Sequence, residues 1–191
     1  MNHTGPLQAS IKVGRAFGAM IFTFMGALWI AAWCQLALGT NYPVFGLILL
    51  VALVIITMAY HRYRQHLPLS TQLAETPERK KMMRQFNLIN AAQWVAILIS
   101  VNVLNNIGLS AWTIPAVILI VGLHFLPLAR IFKNPPHYLT GSAMIVLAVS
   151  YPFLLPGGGN NPLGCLLTGL ILWASAIWAI APRARSSTLT S

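Results

Sequence analysis

Six stretches of the chain are continuously apolar and long enough to cross a bilayer as helices. They run over Val13–Leu38, Pro43–Tyr60, Phe86–Leu104, Ala111–Phe132, Tyr138–Leu155 and Pro162–Ile180. A hydrocarbon core of about 30 Å takes about 20 helical residues. No stretch contains Asp or Glu, and Lys and Arg occur only near the ends. Apolar and polar residues do not alternate, so strands are not predicted. The pattern predicts an all-α membrane protein, a six-transmembrane-helix bundle built of three helical hairpins. The fifth span is short, and Pro152 and Pro156 crowd its end.

The breaks between spans carry turn chemistry. Asn41-Tyr42-Pro43, Thr113-Ile114-Pro115 and Asn160-Asn161-Pro162 each place proline at or near a first helical turn. Proline is tolerated there because its missing N–H would be unpaired anyway. Gly157-Gly158-Gly159-Asn160-Asn161 reads as a loop. Thr76-Pro77-Glu78 reads as an N-cap, a first helical proline and an acidic first turn. A helix therefore begins near Pro77 and runs through Lys80, Lys81 and Arg84 into the third span.

Composition narrows the class. Hydrophobic residues make up 57% of the 191 and charged residues 7%, against about 25% charged in a soluble domain. So few charges cannot coat a water-soluble globule. A net charge of +10 would by itself point to nucleic acid. No nucleic-acid reader motif is present, however, and the basic residues sit in blocks between the spans. The expected partners are the lipid bilayer and anionic headgroups, not nucleic acid.

The charge blocks set a topology. Lys12 and Arg15 open span one. Arg62, Arg64, Arg79, Lys80, Lys81 and Arg84 lie between spans two and three, Arg130 and Lys133 between four and five, and Arg183 and Arg185 after six. The three opposite turns carry no Lys or Arg. The positive-inside rule places both termini in the cytoplasm. Residues 1–12 form an N-terminal tail, 13–182 the membrane domain with a cytoplasmic basic loop at 61–85, and 183–191 a C-terminal tail. A cysteine placed at Gly158 is expected to label from outside the cell, and one at Ser187 to stay protected; the reverse pattern contradicts the topology. Lys12 and Arg15 before an apolar run also resemble a signal peptide, with Ala37-Leu38-Gly39 as its cleavage site. The run exceeds the about 7–15 residues of a signal core, so an uncleaved span is expected.

Two internal patterns stay open. Arg15-Ala16-Phe17 and Arg84-Gln85-Phe86 begin two hairpins alike, through duplication or through convergence on one topology, the reading preferred here. A 3+3 inverted repeat is arithmetically allowed, but no sequence match supports it. Span one also carries a stripe of small residues: Gly14, Gly18, Ala19, Thr23, Ala27 and Ala31. Such stripes let helices approach closely in lipid. Intramolecular packing is the preferred reading, and a homo-oligomer face the alternative.

Polar chemistry inside the spans is sparse. At about 100° per residue, Asn87, Asn90, Gln93 and Ser100 share one face of span three, with Leu88, Ala92, Val95 and Ile99 opposite. Amides in lipid need partners, so this face is expected to point inward. His124 is the only histidine deep in a span, at a depth similar to Gln93. Pro127 leaves the Leu123 carbonyl without its helical donor. The candidate intramembrane polar site is therefore His124, Gln93, Asn90 and Asn87, with the His124 ring turned to Gln93 or Asn90. A histidine that locks two helices by one hydrogen bond is the competing reading.

No catalytic constellation, cofactor motif or metal-ligand set is found, and no cofactor is expected. Paired intramembrane carboxylates, Gly-x-Ser-x-Gly and a phosphate-binding loop are all absent. Cys34 and Cys165 are expected at similar depth, as free buried thiols; a disulfide would need Cα atoms within about 7 Å. Gly122-Leu123-His124-Phe125-Leu126-Pro127-Leu128-Ala129 and Tyr138-Leu139-Thr140-Gly141 resemble a pattern found in small multi-pass bacterial membrane proteins. The resemblance spans about twenty residues (Gly122–Ala129 and Tyr138–Gly141 with the chain between). It implies a six-span protein of the bacterial cytoplasmic membrane and carries no functional residue. The expected function is a small transporter or channel for a neutral or weakly polar solute. The alternative is a non-transporting scaffold or assembly partner.

Overall fold

The computed structural model describes residues 4–71 and 76–181. Glu75, Arg183, Arg185 and Ser187 lie outside the described residues. Among those described there are six α-helices and no strand: α1 Thr4–Leu38, α2 Tyr42–Ser70, α3 Pro77–Asn106, α4 Thr113–Ile131, α5 Pro136–Leu154 and α6 Leu163–Ile180. All six are long and apolar enough to cross a membrane. The chain is a multi-pass helical membrane protein.

The cap expected at Thr76 forms, and a second one is found at Asn41. The Asn41 side chain accepts from the Val44 N–H at 3.2 Å and starts α2. The Thr76 hydroxyl accepts from the Arg79 N–H at 3.3 Å and starts α3 with Pro77 in its first turn. Gly39, at φ +69°, ends α1 in the left-handed conformation that side chains resist.

Helix ends differ from the apolar boundaries. α1 begins nine positions before Val13, and α2 continues ten positions past Tyr60. The segment read as a basic loop, 61–85, is therefore largely helical: His61, Arg62 and Arg64 belong to α2, and Arg79–Arg84 to α3. Apolarity marks only the part of a helix that lipid covers. A helix already started continues into water where the residues favour it. Pro68 lies inside α2, and the helix runs only to Ser70 beyond it.

The helices pack in the order α2, α1, α6, α5, α4, α3, with α2 and α3 at the edges. α1 packs against both α2 and α6, and α4 against both α3 and α5. Two glycine crossings set the closest approaches. At the α1–α6 crossing, a Cβ on Gly169 would lie 2.7 Å from the Gly26 carbonyl oxygen, and one on Gly26 would lie 2.9 Å from that of Gly169. At the α4–α5 crossing, a Cβ on Gly141 would lie 2.8 Å from the Gly122 carbonyl oxygen. The Trp173 indole N–H donates to the Thr23 carbonyl at 2.9 Å, which adds a hydrogen bond from α6 to α1.

The small-residue stripe of span one is only partly the packed face. Ala19 and Thr23 are fully buried inside the chain. Ala27 and Ala31 are half-buried, and a Cβ on Gly14 or Gly18 would meet nothing within 4 Å. The buried line follows Ala16, Ala19, Thr23, Gly26, Ile30 and Cys34. Repeated steps of four advance about 40° beyond a full turn each time and drift off a contact face. Alternating threes and fours stay on it, which brings in Gly26. Cys34 and Cys165 are both buried and free.

Candidate intramembrane polar site

α3 lies at the edge of the bundle and packs on α4. No residue of α3 is fully buried. Its inner face still matches the polar stripe: Asn90, Gln93 and Ser100 are half-buried toward α4, while Leu88, Ala92, Val95 and Ile99 are exposed. Asn87 is exposed as well, at the margin of the stripe.

His124 is half-buried on α4 and faces α3. On that side it meets the backbone of Ile89. Nδ1 of His124 is buried and has no hydrogen-bond partner. The structure thus brings His124 to the helix that carries Asn90 and Gln93, without a hydrogen bond from the imidazole to either amide.

The His124 ring packs edge-on against Phe125 at 5.7 Å. Phe125 also lies 6.0 Å from His137 and 5.2 Å from Phe22 of α1. One aromatic group therefore separates two histidines. His137 sits in the first turn of α5, at the bundle end where α1 and α3 begin and α2 and α4 finish. Every described Lys and Arg belongs to that end.

A small cavity of about 30 Å³, with mixed apolar and polar walls, opens beside His137. Arg15, Asn134, Thr140 and Ser175 also line it. Sequence reading missed this cavity, because its polar residues come from four separate segments and each looks ordinary alone. The available signal was Thr140 three residues after His137, which places both on one face of a helix that starts at proline. A second cavity, of about 370 Å³, is apolar and lies near the opposite end, between Leu104, Trp112, Leu119 and Phe153.

Among the described residues, no group of three or more His, Cys, Asp or Glu could hold a metal ion. No family model, curated protein or solved structure matches the chain.

Proposed function

We propose that the chain is a non-transporting scaffold of the bacterial cytoplasmic membrane, with N-in/C-in topology, three helical hairpins and a working form assembled through α3. The carrying observation is the outer face of α3. Asn87, Ala91, Trp94, Leu98, Val101 and Asn105 recur at alternating spacings of four and three. That is the period of a helix–helix seam. All are exposed except the half-buried Val101. Asn87 is exposed at one end of the seam, and Asn105 at the other donates one N–H to the Val101 carbonyl at 2.8 Å, with its second N–H and its oxygen available to a partner.

A second copy of the chain is the occupant that fits. A two-fold axis normal to the membrane sets each α3 residue opposite itself. An amide both donates and accepts, so Asn87 can pair with Asn87 and Asn105 with Asn105. Polar residues at seam positions also fix register. The burial of Ala19 and Thr23 inside the chain favours α3 over span one as the proposed oligomer face.

The test is the oligomeric state in nanodiscs, counted by single-molecule photobleaching. Wild-type protein is expected to be dimeric. The double variant Asn87→Leu/Asn105→Leu is expected to lose about 1–3 kcal/mol of association, since intramembrane hydrogen bonds average about 0.6 and reach about 1.7 kcal/mol each. Unchanged dimerisation, or a monomeric wild type, contradicts the proposal.

Passage of a small neutral solute is the second reading. It is favoured by His124 Nδ1, which lacks a partner beside the half-buried Asn90 and Gln93. Solute flux into proteoliposomes that His124→Leu removes without loss of folded protein would support that reading over the first.

A further inference from the structure

We propose that the apolar cavity of about 370 Å³ between α3, α4 and α5 is a binding site for the hydrocarbon tail of one membrane phospholipid. Small side chains make its depth: Pro115 and Ala116 from the first turn of α4, and Ala148 from α5. Larger ones flank them, Leu104 from α3 and Val149 and Phe153 from the last two turns of α5. Pro115 and Ala148 are buried, whereas Val149 and Phe153 are 56% and 74% exposed. The cavity therefore has a buried floor and an exposed rim. It opens sideways from the bundle.

The chemistry of the walls selects hydrocarbon. The Trp112 indole N–H is the one polar side-chain group in the lining. A water molecule needs two to four polar partners to settle in a cavity, and apolar cavities stay dry. A hydrocarbon tail against the same walls gains dispersion contacts with each atom. All three helices that form the cavity are long and apolar enough to cross a membrane. Lipid is therefore the medium that meets the rim.

Size and place narrow the occupant to a lipid tail. An apolar cavity of about 150 Å³ holds the six carbons of benzene, so this one holds about fifteen at the same density. It extends from Trp112 to Leu119, about 10 Å along α4 at about 1.5 Å per residue. A helix of a second chain, about 10–12 Å across with its side chains, is too wide to enter. Trp112 ends the short turn Ser110–Trp112 before α4 and lies 5.8 Å from Phe153. An indole at a span's end sits at headgroup level, so a tail beneath this aromatic pair leaves its headgroup beside the α3–α4 turn. That turn, residues 107–112, carries no charge, and every described Lys and Arg belongs to the other end of the bundle. The site therefore reads the tail and not the charge of the headgroup. It does not rest on the α3 seam, and its occupancy is counted per chain.

The experiment uses the full chain in mild detergent, freed of lipid and titrated with phosphatidylethanolamine, with phosphatidylglycerol or with palmitate. Bound lipid is counted by native mass spectrometry, and stability is read as melting temperature. Saturable binding of one phosphatidylethanolamine per chain is expected, with a rise in melting temperature. Phosphatidylglycerol is expected to compete for that site with comparable affinity. Ala116→Phe fills the floor and is expected to weaken binding about tenfold or more. Phe153→Ala removes an exposed wall without touching the floor, and is expected to weaken it about threefold to tenfold. Val146→Phe, on an exposed position of α5 outside the cavity, should leave it unchanged. If Ala116→Phe does not fold, Phe153→Ala and Val146→Phe carry the comparison. Absence of phosphatidylethanolamine binding overturns the proposal, as does binding of palmitate alone, which would make the ligand a free fatty acid. Full affinity in Phe153→Ala, or an equal loss from Phe153→Ala and Val146→Phe, overturns it as well.

Discussion

Gly169→Val is expected to separate α1 from α6 and cost about 3 kcal/mol, the upper part of the range for an overfilled site. The new Cβ would collide with Ile30 and lie 2.7 Å from the Gly26 carbonyl oxygen. Backbone cannot move aside as a side chain can, so the helices must part. Parting them also strains the Trp173 to Thr23 hydrogen bond close by. A loss of that size corresponds to about 6–12 °C in melting temperature for a chain of this length. Gly18→Val on α1 is the control. A Cβ there meets nothing within 4 Å, and its effect should stay within about 0.5 kcal/mol. Melting curves of the two variants in one detergent check the contrast. Equal losses would show that the crossing does not govern the result.

Tyr151→Ala is the second large effect, with an expected loss of about 3–5 kcal/mol. The Tyr151 ring lies so close to Gly164 of α6 that a Cβ there would be 2.6–3.0 Å from three ring atoms. Its hydroxyl donates to the Gly159 carbonyl at 3.1 Å. Gly159 in turn is pressed against the Ala111 carbonyl and the Pro115 ring. One side chain therefore ties α5 to α6 and to the turn that rests on the start of α4. Removing it leaves a cavity and frees the turn. Tyr151→Phe keeps the ring and loses only the hydrogen bond, at about 1 kcal/mol. A small effect of the alanine variant would mean that the turn is held by other contacts.

Much of the fold was legible because lipid imposes a coarse and strict rule. Six apolar runs became six helices, and the caps at Asn41 and Thr76 formed where short polar side chains preceded proline. Helix ends were less legible, since hydropathy reports lipid coverage and not backbone hydrogen bonding. Ten residues after Tyr60 are helical for that reason. The glycine crossings were not legible. Gly26 looked like any other small residue of α1, and its importance depends on Gly169. On the polar face of α3, Asn90, Gln93 and Ser100 are half-buried and Asn87 is exposed. The expected meeting of His124 with Gln93 or Asn90 was finer than periodicity can resolve, since it depends on the relative slide of two helices. The cavity beside His137 was legible only in the spacing of His137 and Thr140, because Arg15 and Ser175 are neighbours only after α1 and α6 have packed.

The most direct measurement of the assembly claim is a cysteine cross-linking scan along α3, from Asn87 to Asn105, in native membranes. Cys34 and Cys165, both buried and free, are first replaced by alanine. Covalent dimer is expected to peak at positions 87, 91, 94, 98, 101 and 105 and to fall between them, the period of a parallel seam about a two-fold axis. Maxima at Leu88, Ala92, Val95 and Ile99, or no dimer at any position, would contradict assembly through this face.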